Sequence, residues 1–193
     1  MPRVHIRAVG PVADGVIATI SEALIQSFEA DPKILEPLGE PDGAFDARRQ
    51  QYSSVAMLKT LMEHAPPGPG KVVGVTGRDL FIPMLTFVFG QAQLDGRFAL
   101  VSIARLKQEF YRLPPDAGVL EQRMVKEAFH ELGHSFGLAH CANPLCPMSL
   151  STSIRQVDSK SDQFCATCTA ALERRGLKRK EQGYEVKLAD SGR

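Results

Sequence analysis

A mixed α/β (α+β) fold in one domain is predicted by three features of the sequence. Its 193 residues are enough for a single well-packed core. The content of 44% hydrophobic and 23% charged residues is ordinary for a globular protein. Segments with the apolar pattern of strands occur among segments whose apolar residues recur at helical spacing, and no internal repeat is apparent.

The first half of the chain is predicted to contain strands at 4–9 and 71–76, with two helices between them. The first strand ends at a Gly-Pro pair, and apolar residues at helical spacing follow over 12–28. Residues 31–43 are rich in Pro, Gly and acidic side chains and are predicted as a loop, before a second helix over 47–63. A Pro/Gly-rich stretch ends that helix. The residues expected on its buried stripe are Tyr52, Val55, Ala56, Leu58 and Leu61.

The second half is predicted to begin with strands at 85–92 and 98–104, joined by a turn at Asp95-Gly96. A long helix follows over 117–136, because two prolines stop the preceding element and Asp116 can cap the first helical turn. The residues expected on its buried face are Leu120, Met124, Ala128, Leu132 and Phe136.

We expect two subdomains within this fold. Residues 1–137 would contain the sheet, the two early helices and the long helix. Residues 138–193 would form a smaller C-terminal lobe with a short helix over 169–172. A basic, polar and solvated tail is expected from about residue 174.

Composition argues against several classes of partner. A net charge of +1 does not fit a broad nucleic-acid surface. The first five residues contain no apolar signal core, and the longest apolar run, 80–89, is too short to span a bilayer. We therefore expect a cytoplasmic protein without a nucleic-acid or membrane partner, and the sequence does not indicate an oligomeric state.

The most informative segment begins at His130 and reads H-E-x-x-H-x-x-G-x-x-H. His130 and His134 lie one turn apart on one face of the predicted helix, so their imidazoles can converge on one metal ion. Glu131 projects nearby and can accept a proton from water at that metal. Gly137 allows the chain to leave the helix and turn back, which brings up His140 as a third ligand. Three protein ligands leave a fourth position open, as in catalytic zinc sites.

All four cysteines follow this motif, as two close pairs: Cys141 with Cys146, and Cys165 with Cys168. Two such pairs separated by a longer loop favour a structural Cys₄ zinc site. Two disulfides and a thioredoxin-like redox pair are the alternatives, but no oxidising compartment or upstream βαβ unit is indicated. Because neighbouring side chains of an extended segment point to opposite sides, the second zinc would brace His140, which precedes Cys141.

Arg123 and Glu127 precede the motif by one or two helical turns, on or near the histidine face. Two interpretations are open for them. They could support the metal ligands, or they could form a solvated i,i+4 ion pair.

These motifs resemble the archaemetzincin family of zinc metallopeptidases, the branch of the metzincin clan that adds a four-cysteine zinc site. The resemblance rests on the histidine motif, on Cys-Pro-Met at 146–148 and on Cys-Ala-Thr-Cys at 165–168. Further similarity lies at 49–52, 73–76 and 157–158, so that it covers most of the chain.

The resemblance implies a metzincin-like single domain, in which a mixed twisted sheet with an antiparallel edge strand packs against the motif helix beside a small zinc-braced C-terminal lobe. It implies that His130, His134 and His140 bind a catalytic zinc and that Glu131 is the general base. Met148 would be the methionine of the turn beneath the metal. Two zinc ions per chain are expected, one catalytic and one structural. Unlike in some metzincins, no tyrosine follows closely after Met148.

The expected function is hydrolysis of peptide bonds by zinc-activated water, with a peptide or protein as substrate. The alternative is a catalytically silent, zinc-stabilised peptide-binding module with an occluded cleft. In metzincins an edge strand pairs with the extended substrate. For each phenylalanine of the candidate strand, the alternative is an ordinary place in the hydrophobic core. The candidates for this strand are Thr86, Phe87, Val88 and Phe89.

Overall fold

The structure, a computed structural model, describes residues 1–13 and 15–180. Its strands are β1 (Arg3–Ala8), β2 (Asp31–Ile34), β3 (Phe45–Asp46), β4 (Gln51–Ser53), β5 (Lys71–Thr76), β6 (Leu80–Phe81), β7 (Gly90–Ala92) and β8 (Phe98–Ser102). Its helices are α1 (Val16–Ser27), α2 (Ser54–Glu63), α3 (Ala117–Ser135), α4 (Ile154–Ser159) and α5 (Ala166–Arg174), with 3₁₀ turns at Ala104–Leu106 and Gln108–Tyr111. Each helix in this part of the chain is too short or too polar to cross a bilayer.

A five-stranded sheet in the order β2-β1-β5-β8-β7 forms the centre of the fold. The first four of these strands pair in parallel, and β7 pairs with β8 in the antiparallel sense. The predicted mixed sheet with an antiparallel edge strand is therefore confirmed. The strands β3, β4 and β6 form a second, smaller sheet in the order β3-β4-β6.

Helices cover both faces of the central sheet, as alternate residues of β5 demonstrate. Val73 and Val75 belong to the core that contains α1 and α3, whereas Val72 belongs to the core that contains α2. Gly74 lies against α2, because a Cβ there would come within 2.3 Å of Leu61 Cδ1. A sheet buried on both faces explains the continuous apolar run of this strand. The larger core includes residues on both sides of position 137, and the two-subdomain division stays a prediction.

Residues 31–43 were predicted as a loop, but they contain the strand β2. It pairs in parallel with β1, with Arg3 opposite Asp31 and Ile6 opposite Ile34. Pro32 indicated a loop, but β2 is an edge strand, and proline is tolerated there because no neighbouring strand needs its missing N–H group.

The second helix begins at Ser54 rather than at residue 47. Asp46 accepts hydrogen bonds from the backbone N–H groups of residues 48 and 49 at 2.9 and 3.0 Å, which forms a turn. Gln50 has a left-handed backbone with φ of 56°, so no helix passes through it. Ser53 then caps α2, and Val55 is half exposed instead of lying on the buried stripe.

The strand predicted over 85–92 is also shorter, because only its last three residues form β7. The N–H group of Val88 donates to the carbonyl oxygen of Leu80 at 3.0 Å, which ties this segment to the smaller sheet. Residues 86–88 therefore do not belong to the edge strand of the central sheet, whereas the Phe89 carbonyl oxygen still accepts the N–H of Ser102 in β8 at 2.7 Å. The alternation of apolar and polar residues over 85–92 does not indicate this pairing with Leu80.

Two corrections concern the C-terminal region. Helix α4 was not predicted, and the last helix runs over Ala166–Arg174 rather than over 169–172 alone. The beginning of the predicted solvated tail packs against the end of α1, where Phe28 and Arg179 form an antiparallel bridge. Residues 181–193 of that tail lie outside the described residues.

Candidate functional site

Helix α3 positions the histidine motif, and both of its ends have local stabilisation. The Asp116 side chain accepts the N–H of Val119 at 2.9 Å at the first turn. At the other end, Gly137 has φ of 83°, and the N–H of Leu138 donates to the Gly133 carbonyl at 2.9 Å. This is the hydrogen bonding of a Schellman cap. The chain therefore leaves the helix at the glycine, as the sequence predicts.

The turn brings the three imidazoles of the motif together, with one ring nitrogen from each lying within 4.8 Å of the others. His130 donates from Nδ1 to the Pro147 carbonyl oxygen at 2.8 Å, and His134 donates from Nδ1 to that of Leu138 at 2.7 Å. These bonds leave the two Nε2 atoms unprotonated and only 3.1 Å apart. With His140 beside them, the three rings could hold one metal ion.

All three imidazoles are held in the neutral form. Burial, followed by the positive charge of Lys160, lowers the pKa of His130 to about 3. Burial is also the main cause that lowers the pKa of His134 and of His140. Neutral imidazole is the form that binds metal ions, so these rings need not lose a proton at neutral pH.

Glu131 lies beside the histidines with its carboxyl group buried. Burial, and secondly the charge of Glu127, raises the pKa of Glu131 well above its usual value. The start of β7 packs directly on this side chain: a Cβ at Gly90 would lie 2.5 Å from Glu131 Oε1 and 2.5 Å from the Leu100 carbonyl oxygen. Only glycine permits this approach, and no local signal in the sequence singled out Gly90.

Met148 is fully buried, and its side chain contacts helix α3 at Gly133. A Cβ at Gly133 would lie 2.4 Å from Met148 Sδ, which explains why the helix has glycine between its two histidines. The carbonyl oxygen of Met148 accepts the N–H of Cys141 at 2.9 Å. The same turn orients His130 through Pro147, so it connects the histidine and cysteine clusters.

The four cysteines form a second cluster, and their sulfur atoms lie within 4.8 Å of one another. All four are free thiols, and the Sγ atoms of Cys141 and Cys165 are 3.8 Å apart, too far for a disulfide. Burial raises the pKa of Cys146 and that of Cys168. A cation at the centre would offset the cost of burying thiolates, so the arrangement suits a four-thiolate metal site.

A cleft of about 540 Å³ opens over the histidine cluster. Its lining includes residues 85–92 and Leu94, and, from segments that follow the motif helix, Ala139, His140 and residues 150–152. The cleft is lined mainly by apolar groups, with Glu131 and the histidines at its base. The four residues proposed from the sequence as a substrate strand all line it, although they lie in a loop: Thr86, Phe87, Val88 and Phe89.

Arg123 and Glu127 do not pair with each other, which corrects the solvated ion-pair interpretation. Arg123 forms a two-pronged bond with Asp158 at 2.6 and 2.8 Å. Glu127 pairs with Lys160 at 3.4 Å, and the side chains of this pair are 3% and 0% exposed. Burial raises the pKa of Glu127, and the charge of Lys160 opposes that effect. Lys160 does not stand out in the sequence as a site residue, because nothing in its local surroundings indicates burial.

Lys160→Met is expected to destabilise the fold by about 3–5 kcal/mol, because it leaves the Glu127 carboxylate buried without its counter-charge. Chemical denaturation of the metal-loaded protein measures this change. The double variant with Glu127→Gln should regain most of the loss, since no buried charge then remains. Lys59→Met, at an exposed lysine that pairs with Glu63, is the control and should change stability by less than about 1 kcal/mol. A loss in Lys160→Met no larger than in this control would contradict the electrostatic role of Lys160.

Comparison with known proteins agrees with this geometry. The family model described as peptidase family M54 matches residues 31–174 of the chain. An archaemetzincin from Methanocaldococcus jannaschii is 41% identical over 175 residues, which cover 91% of this chain and 95% of that protein.

Solved structures of archaemetzincins have the same fold. The crystal structure from Methanopyrus kandleri superposes with a TM-score of 0.77 at 38% identity, covering 90% of this chain and 94% of the other. That from Archaeoglobus fulgidus superposes with a TM-score of 0.76 at 32% identity, covering 88% and 99%. The fold, the family model and the relatives agree, and the chain belongs to the archaemetzincins, the zinc metallopeptidases of family M54.

Proposed function

We propose that the chain hydrolyses peptide bonds in the cleft, with a zinc ion held by His130, His134 and His140 and with Glu131 as general base. The observation that carries this proposal is the convergence of three neutral imidazoles beside one buried carboxyl group at the base of an open cleft. The donor set fits the ion, because three nitrogen ligands supply all but one position of a tetrahedral zinc site. When bound, zinc lowers the pKa of water toward about 7 and polarises a substrate carbonyl.

Residues of the chain then position the reacting groups and transfer the proton. Glu131 accepts a proton from the attacking water and passes it to the departing amine nitrogen. Burial raises the pKa of Glu131 in the metal-free chain, and the positive charge of a zinc ion at the neighbouring histidines would favour the ionised carboxylate, which is the form that accepts a proton. Gly90 and β7 hold the carboxyl group in place. Residues 86–89 and 150–152 line the cleft and would contact a peptide bound there.

The second zinc is proposed at Cys141, Cys146, Cys165 and Cys168, where it has a structural role. Four thiolates close the coordination shell, so no position remains for substrate. Cys141 follows His140 directly, and its N–H group is bonded to Met148, which supports the idea that this zinc braces the third imidazole. Four free thiols also suit a reducing compartment, and we place the protein in the cytoplasm on that ground.

The alternative function, a silent peptide-binding module, requires an occluded cleft. Among the described residues the cleft is not an enclosed cavity, and His140 is exposed to solvent. This observation favours hydrolysis over binding alone.

A cleavage screen tests the proposed function. The protein carrying two zinc equivalents, verified by elemental analysis, is incubated with a randomised peptide library and with unfolded proteins. We expect new peptide N-termini by mass spectrometry, their loss after treatment with a zinc chelator, and their return when zinc is added back. If the zinc-loaded protein retains peptides from the library without cutting any, the binding-module alternative is correct.

A further inference from the structure

The turn between β3 and β4 carries Arg49, an exposed arginine whose guanidinium group contacts a segment that lines the cleft. Its Nη1 donates to the Leu85 carbonyl oxygen at 3.0 Å, and its Nη2 donates to that of Pro83 at 3.4 Å. The same group lies over the ring of Phe81, 4.6 Å from the ring centre. Arg49 begins the segment 49–52 that resembles the archaemetzincins, and the proposed hydrolysis gives it no role.

The two carbonyl groups belong to the cleft loop (residues 82–89), which connects β6 to β7 and most of which lines the cleft. Residues 83–86 of this loop are exposed, so little packing holds them. Within the described part of the chain, Arg49 makes the only hydrogen bonds that connect these exposed residues to another segment. The next residue, Phe87, has a contact of its own, because the guanidinium of Arg105 lies 4.1 Å from its ring centre. The exposed half of the loop therefore depends on Arg49 for its position.

Arg49 extends from a turn that is itself held in place. The Asp46 carboxylate accepts hydrogen bonds from the backbone N–H groups of Arg48 and Arg49. The Gln50 side-chain amide donates to the Ala47 carbonyl oxygen at 2.8 Å across the same turn. The strand that follows the turn, β4, pairs in parallel with β6, the strand that precedes the cleft loop. The arginine and the loop that it contacts are thus both anchored in the smaller sheet.

We propose that Arg49 is a positioning residue, which holds the cleft loop so that its lining residues are in place before a peptide binds. This inference rests on the proposed function, since it assumes that a peptide occupies the cleft. The planar fork of arginine suits this role, because it can donate to two carbonyl groups while its face lies on an aromatic ring. A loop that is already ordered loses less conformational entropy on binding, so Arg49 strengthens binding through the loop.

Arg49→Met tests this role, since it removes the donors and keeps an unbranched side chain. We expect KM for a library-derived peptide to rise about three- to tenfold, because the loop must then be ordered when the peptide binds. The kcat should stay nearly unchanged, since hydrogen bonds of Val88 and Phe89 to other strands hold the end of the loop nearest Glu131. Arg49→Lys keeps the charge without the planar fork and should restore part of the affinity.

Arg48→Met is the matched control, because it makes the same change at the neighbouring exposed arginine, whose side chain forms no hydrogen bond with the described residues. Its KM should equal that of the parent. Limited proteolysis of the zinc-loaded proteins by chymotrypsin, which cuts after large apolar residues, measures the loop without any peptide. The rate of cutting within residues 84–87 should rise at least threefold in Arg49→Met and keep the parent value in Arg48→Met.

Three results would overturn the inference. The first is an unchanged KM, or loop cutting at the parent rate, in Arg49→Met. The second is a lower kcat and a lower melting temperature with the KM of the parent, because the arginine would then only support the fold. The third is an equal rise of KM in Arg48→Met, which would trace the effect to the lost charge instead of the hydrogen bonds of Arg49.

Peptide binding separates the failure of this inference from the failure of the proposed function. The same peptide library is applied to the zinc-loaded parent and to Arg49→Met, and cut and retained peptides are quantified. If neither protein cuts peptides but Arg49→Met retains three- to tenfold less, the hydrolase proposal fails and the role of Arg49 stands. If both proteins cut and retain peptides equally, the role of Arg49 alone fails. If neither protein cuts or retains any peptide, both proposals fail.

Discussion

Glu131→Gln is expected to lower kcat for peptide cleavage by about 10²–10⁴-fold while both metal clusters keep their zinc. The amide has the shape of the carboxyl group but cannot accept a proton from water. Glutamine is preferable to alanine here, because Gly90 packs against this side chain and a truncation would leave a cavity. Steady-state kinetics and elemental analysis of the same preparation measure both parts of the result.

The control is Glu109→Gln, at an exposed glutamate on a 3₁₀ turn. Its kcat should equal that of the parent. The stability of the metal-free Glu131→Gln variant should not fall, since burial favours the neutral form of this carboxyl group before zinc binds. A variant that cleaves as fast as the parent would show that another group takes the proton. A variant that loses its catalytic zinc would show that Glu131 is a metal ligand instead.

Cys165→Ser is expected to release one zinc equivalent and to destabilise the chain by about 5 kcal/mol or more, since binding of a structural zinc contributes about 10–16 kcal/mol to folding in small zinc domains. For a chain of this size, such a loss corresponds to a melting temperature about 10–20 °C lower. The cause is geometric. Cys165 precedes α5, and its sulfur lies 3.8 Å from that of Cys141, so the site joins the C-terminal helix to the segment after the histidine motif. Calorimetry and elemental analysis check the two effects.

Thr167→Ser is the matched control for this variant. It makes a change of similar size at an exposed position between the two cysteines of the second pair, and it should keep both zinc ions and the parent melting temperature. Two zinc ions and unchanged stability in Cys165→Ser would rule out the four-cysteine assignment. We also expect weaker zinc binding at the histidine cluster, because His140 adjoins Cys141.

Most of the fold was predictable where a pattern repeats over many residues. Strand β5 and helix α3 have the bounds expected within one or two residues, because a continuous apolar run and a capped helical period are local properties. The predictions failed where hydrogen bonding to another segment decides the conformation. β2 forms because β1 lies beside it, and Val88 leaves the central sheet because Leu80 accepts its hydrogen bond.

The candidate site likewise has features that the sequence predicts and features that it does not. The sequence by itself determined the two clusters: the first two histidines are four positions apart, which is about one helical turn, and a glycine in left-handed conformation three residues later returns the chain toward them. The spacing of the histidines and cysteines was therefore enough to identify the candidate metal ligands. Only the tertiary structure decided what surrounds them, namely Gly90 against the general base, the buried pair of Lys160 with Glu127, and the hydrogen bonds of Arg49 to the cleft loop. Burial and charge pairing depend on which segments meet in space, and the order of residues along one helix does not contain that information.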